Sequence, residues 1–189
     1  MWPWTHLAFG YLVVSLLWRL RGHRLNGAVA AAAALGTQFP DLVDKPLAWV
    51  LGILPAGRSL GHSVFIATAV SAVVLYVAGR RDRFDPALAF VVGYGSHIAG
   101  DVIPELPTGD FDSLTFVVWP LLPSPEYDGA GPVMANLAEI AAAPMAYLLA
   151  SPDRLVLFLL VVALWGADGF PGVAGVGRYL TRDAGRKID

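Results

Sequence analysis

Gly93-Tyr94-Gly95-Ser96-His97-Ile98-Ala99-Gly100-Asp101 closes a long apolar run, and its reading decides the fold. On a helix, His97 and Asp101 leave the same face one turn apart. An imidazole and a carboxylate so related can hold one metal ion from two sides. They fall where a membrane helix would reach water, and ionisable residues in such a place carry a functional hypothesis.

Working outward, the surrounding composition is that of a membrane protein. Charged residues make up 15% of the 189 residues, against about 25% in soluble domains, too few to cover a core in water. Apolar runs near bilayer-spanning length give an all-α, polytopic transmembrane bundle forming a single integral membrane domain. A net charge of -2 argues against nucleic acid as a partner. With no cysteine, disulfides and zinc-thiolate sites are excluded, so a metal would have to use His, Asp and Glu.

Four runs lead up to and include the opening stretch: Thr5 to Leu20, Leu25 to Phe39, His62 to Ala78 and Asp85 to Ile103. Pro40 is expected to end the second, and an amphipathic piece, Pro46 to Leu54, follows it. Together these form a four-helix half, residues 1–104. An extracytoplasmic loop, 105–132, carries a re-entrant or interfacial segment near 113–122. Two further runs, Val133 to Ala150 and Leu155 to Pro171, precede a polar tail, 172–189. Six spans are expected, with five as the alternative. The Trp-Pro-Trp start lacks the basic opening and cleavage site of a signal peptide.

Basic clusters after the first run (Arg19, Arg21, Arg24) and the third (Arg80, Arg81, Arg83) set the orientation. The N-terminus then lies outside, and His6, Asp41, Asp44, His62, His97 and Asp101 share the extracytoplasmic end. His6, Asp41, His62, His97 and Asp101 are therefore the candidate metal ligands. Asp44 is the candidate catalytic base, with second ligand or orienter of a ligand as its alternatives. Arg58, at the entrance to the third span, suits a phosphate oxygen. Ser59 or Ser63 suits the helix cap there. Glu105, Asp110, Asp112, Glu126 and Asp128 read as a solvated acidic loop, and His23 as a headgroup-level residue.

Thr5-His6, Pro40-Asp41-Leu42-Val43-Asp44, Arg58 to His62-Ser63 and Ser96-His97 to Asp101 resemble the membrane-bound metal-dependent hydrolase family. That family includes bacterial inner-membrane hydrolases described as LexA-binding, and its ligand set is likened to zinc-dependent phospholipase C. The likeness covers roughly the first hundred residues. Trp2-Pro3-Trp4 and Trp119-Pro120 to Tyr127 look like an archaeal branch. Gly57 and Gly61 stand where the family carries His and Thr, so one family ligand is missing.

The resemblance implies a hydrolase in the cell membrane but supplies no substrate; Arg58 suits a phosphoester, and the depth of the site favours a lipid or lipid-linked one. Its cofactor would be a divalent metal, Zn²⁺ with Mn²⁺ as second choice, that acidifies water towards pKa ~7. The alternative expectation is a non-catalytic membrane scaffold or transporter-like protein with a structural ion or proton site.

Overall fold

In a computed structural model, which describes residues 3–125 and 152–173, the described residues are helical and contain no strand. The α-helices are α1 (Pro3–Leu20), α2 (Gly27–Lys45), α3 (Val64–Gly79), α4 (Phe84–Val102) and α5 (Pro152–Ala167). The run at 133–150, Glu126, Asp128 and the tail beyond 173 lie outside the described residues.

Local signals set the helix starts. The Asn26 side chain accepts from the Val29 amide at 3.0 Å and opens α2, while Ser63 accepts from the Phe65 amide and opens α3. One boundary differs from the sequence expectation. Pro40 does not stop α2, which continues through it to Lys45 and runs into a π-helical turn, Pro46–Val50. A proline inside a helix removes one donor and clashes one turn back, a cost that close packing can offset. Pro40 is buried here, and its backbone lies 3.0 Å from where a Cβ on Gly61 would stand.

α1 to α4 run up and down, so that α1 and α3 begin, and α2 and α4 end, at the same end of the molecule. α2 and α4 come closest. A Cβ built on Gly36 would lie 2.1 Å from the Phe90 carbonyl oxygen, and one on Gly93 would lie 2.5 Å from that of Ala33. Backbones approach this far only where neither helix carries a side chain at the crossing. The two ends then differ in kind. At one, Val14, Trp18, Leu25, Val29, Ala33 and Ala89 form an apolar core. At the other the core is polar, with His6, Asp44, His62, His97 and Asp101 all buried.

The outer faces are apolar. In α3 only Ala78 is buried, while Val64, Phe65, Val73, Tyr76 and Val77 are exposed; α5 buries none of its residues. Such continuous apolar surface is rare on a soluble monomer. The six-span expectation is not confirmed, however. Among the described residues only the helical stretch Phe84–Thr108 is both long and apolar enough to cross a bilayer. The α-helices have 16 to 19 residues, which at about 1.5 Å per residue gives roughly 24–29 Å, short of the ~30 Å hydrocarbon core. α2 is further disqualified by Asp41, Asp44 and Lys45 in its last turn.

The segment expected near 113–122 folds as a 3-10 helix, Asp112–Val118. It lies against the start of α3, with Phe116 fully buried and the Trp119 carbonyl accepting from Ser63 Oγ at 2.6 Å.

Candidate metal centre

Each helix contributes to the polar end by its own local logic. α1 supplies His6 from its first turn, and α2 supplies Asp41 and Asp44 from its last. α4 supplies His97 and Asp101, one turn apart. His62 stands in the loop ahead of α3, two residues before it begins.

Two imidazoles form the middle of the cluster. His97 Nδ1 lies 2.6 Å from the Thr37 carbonyl oxygen, which can only accept, so Nδ1 carries the proton. His62 Nδ1 lies 2.7 Å from Asp44 Oδ2 and donates in the same way. In the neutral rings both Nε2 atoms therefore present bare lone pairs, and they face each other at 3.1 Å. Two acceptors at that distance repel unless a proton or a cation lies between or beside them.

The carboxylates complete the pattern. Asp41 turns Oδ2 to Lys45 Nζ at 2.6 Å and Oδ1 to the imidazoles, 3.6 Å from His62 Nε2 and 3.8 Å from His97 Nε2. Asp101 divides its oxygens likewise. Oδ1 meets Arg58 Nη2 at 3.2 Å and His6 Nε2 at 3.4 Å, while Oδ2 stands 3.6 and 3.7 Å from the Nε2 atoms of His62 and His97. The His97–Asp101 pair is thus too far apart for a hydrogen bond within the helix.

These separations suit a cation. Ligands about 2.0–2.2 Å from a tetrahedral ion lie roughly 3.3–3.6 Å from one another. Two groups of three, His6-His97-Asp101 and Asp41-His62-His97, bring their ligand atoms within 4.8 Å of one another and share His97. His6 adds another sign. Its ring stacks on that of His97 at 3.7 Å, and its buried Nδ1 has no hydrogen-bond partner among the described residues. An unsatisfied buried nitrogen costs about 1–3 kcal/mol, which a partner at Nδ1 would recover. The buried His and Asp groups can therefore hold a metal ion.

Asp44 stands behind His62 and not among the facing atoms. Its oxygens accept from the Ser59 and Gly61 amides, each at 2.7 Å, as well as from His62. Of the roles the sequence left open for it, this is the geometry of an orienter. Burial opposes charge on His62, but Asp41 and Asp44 outweigh it, so its pKa lies above the ordinary imidazole value.

Arg58 lies at the edge, its side chain 20% exposed and its guanidinium 5.7 Å over the Phe116 ring. Ser63 is committed to the α3 cap and to Trp119. His23 is exposed at the far end near Asp85, at 3.8 Å, and Asp110 and Asp112 are exposed.

Several positioning groups left no mark in the sequence. The Thr37 carbonyl and the Ser59 and Gly61 amides are backbone groups. Tyr94, whose hydroxyl donates to the Gly61 carbonyl at 2.6 Å, reads simply as an apolar-run aromatic. Phe116 packs its ring edge against His62 from a segment with no sequence link to the site. Only Lys45, four residues beyond Asp41, had a signal in its spacing. Its ion pair also offsets the negative charge that Asp41 places near the C-terminal end of α2, where the helix dipole disfavours it. At Gly57, where the resemblance leads one to expect a His, a Cβ would lie 3.0 Å from the Trp49 ring.

Helices with apolar outer faces, closed at one end around buried histidines and aspartates, define a helical membrane protein with a candidate metal centre. The chain belongs to the family described as YdjM inner membrane protein, whose model matches residues 1–173. The match extends well beyond the first hundred residues in which the resemblance was legible. No curated protein and no solved structure matches the chain.

Proposed function

We propose that this protein is an integral membrane metal-dependent hydrolase that cleaves a phosphoester of a lipid or lipid-linked substrate at the extracytoplasmic surface. The observation that carries the reading is the pair of Nε2 atoms facing each other at 3.1 Å, each ring held by a hydrogen bond at its Nδ1. His62, His97, Asp41 and Asp101 would hold the ion, with His6 joining from α1. Imidazole and carboxylate donors suit Zn²⁺, with Mn²⁺ as second choice. Such an ion supplies Lewis acidity towards a phosphoryl oxygen and lowers the pKa of water.

The chain's own residues do the rest. Asp44 keeps the His62 proton on Nδ1 and reaches the centre only through that ring, so it acts as a positioning residue. Arg58 ties Asp101 in place and presents its guanidinium at the exposed edge, where it would engage a phosphate oxygen. The basic residues that follow α1 and α3 support a multi-pass arrangement of one membrane domain, with the N-terminus and the site outside.

The test is metal analysis of detergent-purified protein, followed by a screen against phosphoesters and phospholipids. Roughly one equivalent of metal is expected, lost in a His97→Ala/Asp101→Ala double variant, together with metal-dependent phosphoester cleavage. Equal metal in both proteins would overturn the reading. A second reading, a structural ion in a membrane scaffold, draws on the complete burial of His62 and His97, with Phe116 packed against His62. It requires bound metal whose chelation lowers the melting temperature, with no hydrolysis of any phosphoester.

A further inference from the structure

Asp41, Lys45 and Trp49 follow one another at intervals of four residues, so they share one face where α2 runs into its π-helical turn. The Lys45 ammonium lies 2.6 Å from Asp41 Oδ2 and 5.6 Å from the centre of the Trp49 ring. An aromatic face attracts a cation at that distance, so ring and carboxylate hold the ammonium together. Only 27% of the Lys45 side chain and 11% of the Asp41 side chain are exposed, so solvent screens the pair weakly. The Trp49 ring also fills the space beside Gly57, where a Cβ would meet its Cζ2 at 3.0 Å and its Nε1 at 3.1 Å. Position 57 therefore brings no ligand to this side of the centre.

The number of ions the centre can take follows from its shared histidine. Both groups of three, His6-His97-Asp101 and Asp41-His62-His97, include His97. With Nδ1 given to the Thr37 carbonyl, His97 keeps one lone pair, on Nε2, and one lone pair serves one ion. Two-ion sites set their ions about 3.5–4 Å apart, a distance at which one carboxylate reaches both. A second ion would thus need the outer oxygens of the aspartates, Asp41 Oδ2 and Asp101 Oδ1. Lys45 meets the first at 2.6 Å, and Arg58 meets the second at 3.2 Å.

We propose that the centre takes a single divalent ion, and that the Lys45 ammonium, held by Trp49, occupies the place of a second on the outer oxygen of Asp41. The proposal rests on the metal-binding part of the function proposed above and is independent of hydrolysis. Lys45 supplies a fixed positive charge that no chelator removes. It also keeps Asp41 Oδ2 turned outward, so Asp41 serves the inner ion through Oδ1 alone.

The experiment equilibrates the detergent-purified full chain with excess Mn²⁺ and removes unbound ion by gel filtration. Elemental analysis then counts the metal, and electron paramagnetic resonance reports whether ions are coupled. Wild type should hold about one equivalent and show the resolved hyperfine lines of an isolated Mn²⁺. Lys45→Met removes the charge at nearly the same length and releases Asp41 Oδ2. It should take up a second equivalent and show the broadened spectrum of two exchange-coupled ions. Lys45→Arg, which keeps a cation at Asp41, should stay at one. Lys45→Gln replaces the Met variant if that does not fold, with thermal melting reporting the fold of each. Two equivalents in wild type would overturn the proposal while leaving metal binding intact. One equivalent in a folded, uncharged variant would overturn it as well. Wild type that binds no metal would remove both the proposal and the metal reading, whereas a protein that holds one ion and cleaves nothing would remove only the hydrolase.

Discussion

The Nδ1 of His97 donates to the Thr37 carbonyl at 2.6 Å, so a backbone oxygen of α2 fixes the tautomer of an imidazole on α4. No side chain can be exchanged to remove that bond directly. It depends on how closely α2 and α4 approach, and Gly36 and Gly93 set that distance. Gly36→Ala and Gly93→Ala should each destabilise the protein by about 2 kcal/mol or more, because the new Cβ meets backbone that cannot rotate away. Both should also weaken metal binding, as the His97 ring loses its anchor. Thermal melting in detergent and a chelator-competition titration check this; unchanged melting in both variants would refute the crossing geometry.

Asp44→Asn tests the support behind His62. The carboxylate faces amide donors with both oxygens, so an amide NH₂ would meet an N–H in either orientation. A loss of about 3 kcal/mol is expected from the buried mismatch. Metal affinity should fall about 10- to 100-fold, the usual effect of losing the group that orients a ligand. A variant that binds metal as tightly as wild type would assign Asp44 no part in the site.

Metal affinity should rise with pH. The folded protein holds the His62 pKa above its ordinary value, so protonation of His62 stabilises the ion-free fold below about 6.5, and that contribution is lost as pH rises through the raised pKa. The ion needs the Nε2 lone pair that this proton occupies. Binding should therefore release about one proton in the window between the ordinary and the raised pKa. Calorimetry in buffers of different ionisation enthalpy measures the release, and a pH-independent affinity across that window would contradict the assignment.

Asp168 governs the other end. It accepts from Tyr11 Oη at 2.8 Å, Ser15 Oγ at 2.7 Å and Arg19 Nη2 at 2.6 Å, and so ties the end of α5 to α1. Asp168→Ala should cost about 2 kcal/mol and expose the chain around α5 to protease, with metal content unchanged. Parallel loss of metal would mean that the two ends are coupled.

The sequence by itself determined the membrane class, the helical character of the described apolar runs, and the list of residues at the polar end. Hydropathy, capping residues and the i, i+4 spacing of His97 and Asp101 are local properties, and each is legible in a window of a few turns. The gathering of His6, Asp41, Asp44, His62, His97 and Asp101 at one end follows from helix direction alone. Only the tertiary structure decided what each then does. Pro40 should have ended α2 on its own propensity, yet burial against Gly61 carries the helix on to Lys45. Asp44, which the sequence could equally make a base, is turned away from the facing atoms by two backbone amides. The division of each aspartate between an outer cation and the inner imidazoles depends on contacts between segments far apart in the chain. The spacing of residues along one helix says nothing about which oxygen faces which partner. That is fixed by how closely glycine lets α2 and α4 approach.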